Sequence, residues 1–368
     1  MINKEKFYKK RVLFGILDWG LGHTTRSIPL IRFLQDLGME VIVACNSTQK
    51  NVLEQELHHL RYLPLEGYHL RYGSNAAFTK LQIAFQSINI LTKIKSENRW
   101  IKAQMNELKP DIIISDNRYG FRHTEIPSIL ITHQLLVKTG TGLLADNIMK
   151  MFLRSQFKHF TSCWVPDWKE APGLAGELSH PSYALPCPIR YIGAISRLEF
   201  DPHLTQNDIL LVLLSGPEPQ RSLLEERLSQ QLSGYTKEIV IVRGKPEGGP
   251  SIQWPAHATV YDHLPMKALQ EQMQKARYII SRSGYTTLMD IFKLQKKLIA
   301  IPTPGQAEQE YLGHLLHEQQ QVLCIEQSKF QWQEALKQAE AFPFLPQKQN
   351  DFDAYKQVIA EELDRLLH

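Results

Sequence analysis

The chain has 368 residues, a formal net charge of +4, 43% apolar residues and a mean hydropathy of −0.28, the profile of a soluble globular protein. That length exceeds one typical core and suits two domains of about 150 to 200 residues. The longest apolar runs, such as Ile209 to Leu214, are far too short for a helix that spans a bilayer.

The N-terminus is basic, but its apolar run Val12 to Leu17 stops at Asp18, so it reads as a first strand and not as a signal peptide. Cys45, Cys163, Cys187 and Cys324 lie far apart with no C-x-x-C pair, which points to reduced thiols in a cytoplasmic compartment and against a structural zinc. Charge is uneven along the chain. Residues 1–200 hold 25 Lys and Arg against 17 Asp and Glu, and residues 201–368 hold 17 against 21. A basic first half suits an anionic acceptor or an anionic membrane surface; plain solubility charge is the other reading.

In chain order, the first strand runs into Asp18, Trp19, Gly20, Leu21, Gly22 and His23, and a helical pattern follows from Ile28 to Leu37, closed by Gly38. Thr24, Thr25 or Ser27 can cap that helix. A dinucleotide loop would want a third glycine and an acid after the next strand, yet Val41 to Ala44 ends in Cys45 and Asn46. The segment Ala76 to Leu108 is helical in pattern, with Phe78, Leu81, Phe85, Ile88, Leu91 and Ile94 on one side and lysines interleaved. It reads as a core helix or as a membrane-facing region on the acceptor side. The strand Asp111 to Ile114 leads to Asp116, the strand Ile129 to Thr132 leads to His133 and Gln134, and Trp164 to Asp167 closes another.

The second half repeats the theme. Ile209 to Leu214 opens into Ser215, Gly216, Pro217, Glu218, Pro219, Gln220 and Arg221, and a helix follows to Leu232. Glu238 to Arg243 and Val260 to Leu264 are further strands, and Tyr278 to Ile280 enters the small-residue turn Ser281, Arg282, Ser283, Gly284. A helix through Thr287 and Asp290, a strand Lys297 to Ile301 and a polar helix start at Gln306, Glu308, Gln309 and Glu310 complete the block. A turn of this kind directs backbone N–H groups and the helix dipole at an anion such as diphosphate. An acid one turn on can accept from two adjacent ribose hydroxyls. An ordinary βαβ unit with a polar loop shows the same spacing. The D-x-D of Asp351 to Asp353 opens the last helix and reads as an N-cap, so no metal site is assigned.

The residues Ser281 to Gly284, Thr287, Asp290, Ile301 to Gly305 and Gln309 to Tyr311 resemble the nucleotide-sugar signature of GT-B glycosyltransferases. The similarity is to the group of the bacterial N-acetylglucosaminyltransferase of peptidoglycan precursor synthesis, family 28, and the UDP-glycosyltransferases. The resemblance implies an α/β fold of two Rossmann-like domains facing each other across a cleft. It implies an acceptor domain at 1–198, a nucleotide-sugar domain at 199–350, and a terminal helix, 351–368, packing back on the first. It assigns the donor side to Gly22, Ser215, Gly216, Arg221, Arg243, Leu264, Arg282, Ser283, Gly284, Thr287, Asp290, Gln309 and Glu310. Gly20, Gly22, His23 and Pro29 resemble the family's first loop, whose histidine is a general base in several branches. Asp116, in Pro-Asp-Ile-Ile-Ile-Ser-Asp, resembles its acid partner.

His133 and Gln134 fall on the acceptor side, but the family's Glu is missing there, and the family's second Gln is Glu310. These departures put the lipid-linked muramyl acceptor and the sugar, UDP-N-acetylglucosamine in the family's type member, in question. The implied reaction is inverting, metal-independent transfer from a UDP-sugar to a hydroxyl, with no further cofactor and no nucleic acid. Its implied setting is cell-surface glycan or glycolipid synthesis, in the cytoplasm or as a peripheral protein at the inner face of the membrane. A UDP-sugar hydrolase or epimerase, or a non-catalytic nucleotide-sugar binder, would use the same residues.

Overall fold

A computed structural model of the chain describes residues 3–68, 76–216, 218–250, 252–349 and 351–368, with 76–90 described as helical backbone only. Two compact units result: Met1–Leu70, Ala84–Ile195 and Asp351–His368 form one, and Ser196–Asn350 is the body of the other.

The first unit alternates β1 (Arg11–Ile16), α1 (Leu21–Asp36), β2 (Glu40–Cys45), α2 (Ser47–Glu54), β3 (Arg61–Pro64), α3 (Ala76–Leu108), β4 (Ile112–Asp116), β5 (Ser128–Ile131), α4 (Leu143–Phe157), β6 (Ser162–Val165) and β7 (Ile189–Tyr191). Among the described residues the strands form one sheet in the order β3-β2-β1-β4-β5-β6-β7, every pairing parallel. Strands covered on both faces read as unbroken apolar runs. Val12, Phe14 and Ile16 of β1 join one core with Ile28, Ile31 and Phe33 of α1; Leu13 faces the other way, toward Ile101 and Leu108 of α3. Of the apolar side expected on α3, the side chains of Phe78, Leu81, Phe85 and Ile88 fall in the part described as backbone only, Ile94 is buried and Leu91 is exposed.

The last helix belongs to this unit. Tyr355, Ile359 and Leu363 enter the core beside α1, Tyr355 meets Phe33 edge to face at 5.8 Å, and Lys6 Nζ pairs with Asp364 at 2.7 Å. Asp353 stands at the N-cap position but makes no side-chain cap; it pairs instead with Lys356 at 2.6 Å, while Asp351 Oδ1 accepts from the Asp353 amide at 3.0 Å.

The second unit runs β8 (Ile209–Leu213), α5 (Gln220–Gln231), β9 (Ile239–Val242), β10 (Ala258–Tyr261), α6 (Met266–Lys275), β11 (Ala276–Ser281), α7 (Tyr285–Lys293), β12 (Leu298–Ala300), α8 (Ala307–Glu318), β13 (Leu323–Cys324) and α9 (Trp332–Ala341), and α10 (Ala354–Leu367) is the terminal helix already described. Its sheet, again parallel among the described residues, has the order β10-β9-β8-β11-β12-β13.

In both sheets the strand order reverses once, between β1 and β4 in the first and between β8 and β11 in the second. Ligands of open α/β sheets bind outside the carboxyl ends of the strands at such a reversal. The loops that leave β1, β4, β8 and β11 are therefore where each unit's chemistry is to be sought. Burial pushes the thiols of Cys45, Cys187 and Cys324 up to about 12, which leaves them poor nucleophiles.

Candidate functional site

In the first unit, β1 ends beside β4 with Ile16 in register with Asp116. The chain then turns at Gly20, whose φ of 71° favours glycine. Helix α1 begins at Leu21, earlier than the apolar spacing predicts. Gly22 and His23 thus lie in its first turn and not in a loop. Thr25 and Ser27, expected as caps, instead bond back along the helix to the carbonyls of Gly22 at 3.1 Å and His23 at 2.8 Å.

The early start matters for the chemistry. His23, Arg26 and Ser27 stand three and four residues apart on one face of α1, and all three converge on Asp116. His23 Nδ1 lies 3.0 Å from Asp116 Oδ1. Arg26 Nε donates to Oδ2 at 3.0 Å, its Nη2 donates to Oδ1, and Ser27 Oγ donates to Oδ2 at 3.1 Å. Burial opposes ionisation of Asp116, but the charges of Arg26 and His23 and their hydrogen bonds outweigh it and hold the carboxyl well below its usual range. Arg26 also places Nη2 2.8 Å from His23 Nδ1 and Nη1 3.5 Å from Nδ1 of His133, which is buried. Gln134 follows, its amide bonded to Thr132 Oγ1 at 3.0 Å.

Nδ1 of His23 can satisfy only one of its two neighbours at a time. Protonated, it donates to Asp116 and leaves Nε2 as a bare base; unprotonated, it accepts from Arg26 and the proton sits on Nε2. Burial, followed by the charge of Arg26, lowers the affinity of His23 for a second proton, and Asp116 opposes both. The ring is therefore neutral to lower pH than an ordinary histidine, the state a general base requires. Arg26 was not among the residues singled out from the sequence, and Ser27 was singled out only as a helix cap. Their signal was the i+3 and i+4 spacing from His23.

In the second unit, Ser281 Oγ donates to the Leu213 carbonyl at 2.7 Å, tying the end of β11 to the end of β8. Gly284 takes the N-cap position of α7 without a side-chain cap. A Cβ at Gly284 would sit 3.9 Å from Gln309 Nε2 and 4.0 Å from Thr287 Oγ1, so Gly284, Thr287 and Gln309 are neighbours at the start of α7. Ser283 Oγ donates to the Gln309 carbonyl at 2.7 Å, the Thr303 amide donates to Gln309 Oε1 at 2.9 Å, and the Gly305 amide donates to Glu310 Oε1 at 2.8 Å. These bonds aim the start of α8 at the start of α7.

Asp290, one turn beyond Thr287, is partly accessible. Burial raises its carboxyl to about 6, against a hydrogen bond from Ser196 and the charge of Arg197. Ser196 Oγ donates to Oδ1 at 2.6 Å, a partner the sequence did not suggest. Ser215 and Gly216 close β8 with Gly216 exposed and at a φ of 98°, Pro217 lies outside the described residues, and Leu264 buries its side chain just after β10.

Three of the residues expected on the donor side turn their side chains inward. The guanidinium of Arg282 is buried and donates to the carbonyls of Ile301, Pro302 and Gln220 and to Gln327 Oε1, at 2.8 to 3.1 Å. Its Nη groups brace the loops around the start of α7 from inside, while its buried Nε has no hydrogen-bond partner among the described residues. Arg221 and Arg243 are likewise buried and converge on Glu225, Arg221 at 3.2 Å and Arg243 through Nε, with Arg243 also on Asp262 at 2.6 Å. Their charge is neutralised inside the unit.

Comparison with known proteins bears on the fold. Residues 219–360 match the Glycosyltransferase family 28 C-terminal domain. An uncharacterised glycosyltransferase of Methanosarcina mazei is 19% identical over 84% of each chain. The solved glycosyltransferase of kitacinnamycin is similar over 98% of this chain and 95% of its own, with a TM-score of 0.63 and 13% identity. The spinosyn rhamnosyltransferase complexed with thymidine diphosphate covers 97% and 96%, with a TM-score of 0.60 and 13% identity. The fold is GT-B, as the sequence resemblance implied.

Proposed function

We propose, for a glycosyltransferase of GT-B fold whose residues 219–360 match the family 28 C-terminal domain, that it moves a sugar from a UDP-sugar to an acceptor hydroxyl with inversion. The observation that carries this reading is the His23–Asp116 pair at 3.0 Å, at the strand reversal of the first sheet.

In the base form of the ring, Nδ1–H donates to Asp116 and Nε2 takes the proton of the acceptor hydroxyl. The acceptor oxygen then forms its bond to the anomeric carbon as the bond from that carbon to the diphosphate breaks, and the electron pair leaves with the diphosphate. Single displacement inverts the anomeric centre. The departing charge is received at the N-terminus of α7, by the helix dipole and the Thr287 hydroxyl, with Ser283 fixing the turn through its bond to the Gln309 carbonyl, and no metal is assigned to it. Asp290 accepts from the ribose hydroxyls, and Gln309 and Glu310 face the sugar. His133 and Gln134 serve the acceptor side.

A thymidine diphosphate in a structural neighbour supports a pyrimidine nucleotide, and the sequence signature favours uridine. No helix among the described residues is long and apolar enough to cross a membrane. The location we propose, in the cytoplasm or at the inner face of a membrane as a peripheral protein, rests on the sequence resemblance alone. The test is a panel of UDP- and dTDP-sugars incubated with the protein, with and without membrane extract, with nucleotide release followed. Release that needs the extract supports transfer to an acceptor within it. Release without acceptor makes the protein a hydrolase, and epimer formation without release makes it an epimerase. Nucleotide binding without turnover makes it a binder.

A further inference from the structure

Resting on the transfer reading above, we propose that Trp19 and Asn117 select the acceptor, and that they select a polyhydroxylated one, with a second hydroxyl close to the one that reacts. Trp19 Nε1 and Asn117 Oδ1 are buried and meet no hydrogen-bond partner among the described residues. An orphaned polar atom costs free energy and calls for an explanation. The indoles of Trp164, Trp168 and Trp254 share that condition, but those rings are enclosed in the protein. Trp19 and Asn117 are only part-buried, so a ligand can reach them. Both stand at the strand reversal of the first sheet: Trp19 lies between β1 and α1, four residues before His23, and Asn117 directly follows Asp116 at the end of β4.

The two loops are knit together and rigid. The Leu17 amide donates to the Asp116 carbonyl at 3.1 Å, and Arg118 Nη1 donates to the Ile16 carbonyl at 3.0 Å. The Asn117 amide donates to the Ile131 carbonyl at 3.0 Å, which sets the residue between the His23–Asp116 pair and the loop of His133. Its φ of 57° is left-handed, a conformation that Asn adopts more readily than most residues and that persists where the surroundings fix it. Here they do: Asp116 is clamped on one side, and Arg118 on the other is held by Glu97 and the Glu66 carbonyl. Trp19 is backed by buried Tyr68, whose ring it meets edge to face at 6.4 Å. Tyr68 is itself fixed, its hydroxyl donating to Glu97 Oε2 at 2.7 Å and its amide to Asp18 Oδ1 at 2.9 Å. The orphans are of opposite kind, since an indole N–H only donates and a carboxamide oxygen only accepts. A hydroxyl does both. Neighbouring hydroxyls of a saccharide or polyol therefore satisfy the two atoms while His23 takes the proton of another, and the C–H face of such a ring packs on an indole. A lone phenol has one hydroxyl and leaves the orphans unmet, which is how a polar site rejects an analogue.

The test is a saturation-transfer NMR titration of the full chain, with UDP present, using the methyl glycosides of glucose, galactose and mannose, and p-nitrophenol as the flat probe with one hydroxyl. The wild type is expected to bind at least one glycoside, and more tightly than p-nitrophenol. Trp19→Phe keeps a ring and removes the N–H, and Asn117→Gly suits the left-handed backbone and removes the carboxamide. Each is expected to weaken glycoside binding about three- to tenfold, with UDP affinity and melting temperature close to those of the wild type. Singly deoxygenated analogues of the bound glycoside locate the contact: one of them should bind the wild type more weakly than its parent does, and bind Asn117→Gly as its parent does. A wild type that binds no glycoside or prefers p-nitrophenol overturns the proposal, and so do variants that bind glycosides as the wild type does. Binding that falls in step with UDP affinity and melting temperature overturns it too, since the two residues would then be structural. None of these readouts uses turnover. Failure here leaves sugar transfer standing, and a chain that binds glycosides through both residues yet transfers nothing fails on transfer alone.

Discussion

Replacing Arg26 by Gln removes the one cation that bonds Asp116 and lies beside His23 Nδ1 at 2.8 Å. Charges about 4 Å apart interact by about 4 kcal/mol at an effective dielectric of about 20. On His23 the repulsion from Arg26 and the attraction to Asp116, 3.0 Å away, are of that size and opposite sign. With Arg26 gone, the attraction acts alone on the imidazolium. At about 1.4 kcal/mol per pH unit the upper bound on the rise is about three units. Asp116 also loses a partner and regains part of its own proton affinity, which brings the expected rise to about one or two units.

A base must be neutral to act, so the acid limb of the kcat/KM profile moves to higher pH by that amount, and activity lost near neutrality returns in alkali. The assay is the pH dependence of nucleotide release, paired with an NMR titration of the His23 ring that needs no turnover. An acid limb that stays in place or moves to lower pH refutes the reasoning. Breaking the buried pair should also destabilise the fold by about 3–5 kcal/mol, so both measurements belong below the lowered melting temperature.

Asp290, raised to about 6, accepts most strongly from a ribose when ionised, since protonation turns one oxygen into a donor and removes the charge, so donor affinity should fall as pH drops through about 6. Ser196→Ala, which removes a bond to the ionised form, should shift that fall to higher pH in a calorimetric titration, with kcat at high pH retained. Because the folded-state value of Asp290 lies above the ordinary 3.8, its contribution to stability is present below about 4 and is lost as pH rises through about 6. Asp290→Asn should therefore flatten that part of the stability curve in denaturant titrations. Glu225→Gln leaves Arg221 and Arg243 without their shared buried carboxylate, and a loss of about 3–5 kcal/mol is expected by urea unfolding; a neutral result would show the cluster to be hydrated. A Cβ on Gly15 would fall 2.7 Å from the ring of Phe121, so Gly15→Ala should lower stability by about 1–3 kcal/mol through overpacking beneath the site.

Much of this arrangement is legible in the residues themselves, because apolar runs bounded by small-residue turns mark parallel strands buried on both faces. β1, β4, β8 and β11 end where those turns stand, and His23 and Asp116 meet because their strands are neighbours. The fate of the arginines was not legible. A motif shows that Arg282 follows a strand, but whether its guanidinium turns outward to an anion or inward to the carbonyls of Ile301, Pro302 and Gln220 depends on loops distant in sequence. Arg221 and Arg243 are likewise claimed by Glu225, one helical turn from the first and on a different element from the second. Arg26 was passed over for the opposite reason: a charged residue in an apolar helix reads as solvent-facing until Asp116 is placed against it.

The most direct test of the account is calorimetric titration of UDP into the wild type, His23→Ala and Asp290→Asn, with nucleotide release from a turned-over donor measured on the same preparations. The account predicts that His23→Ala binds UDP as the wild type does and turns over nothing, while Asp290→Asn binds about tenfold or more weakly. Wild-type affinity in Asp290→Asn, or turnover that survives in His23→Ala, would contradict it.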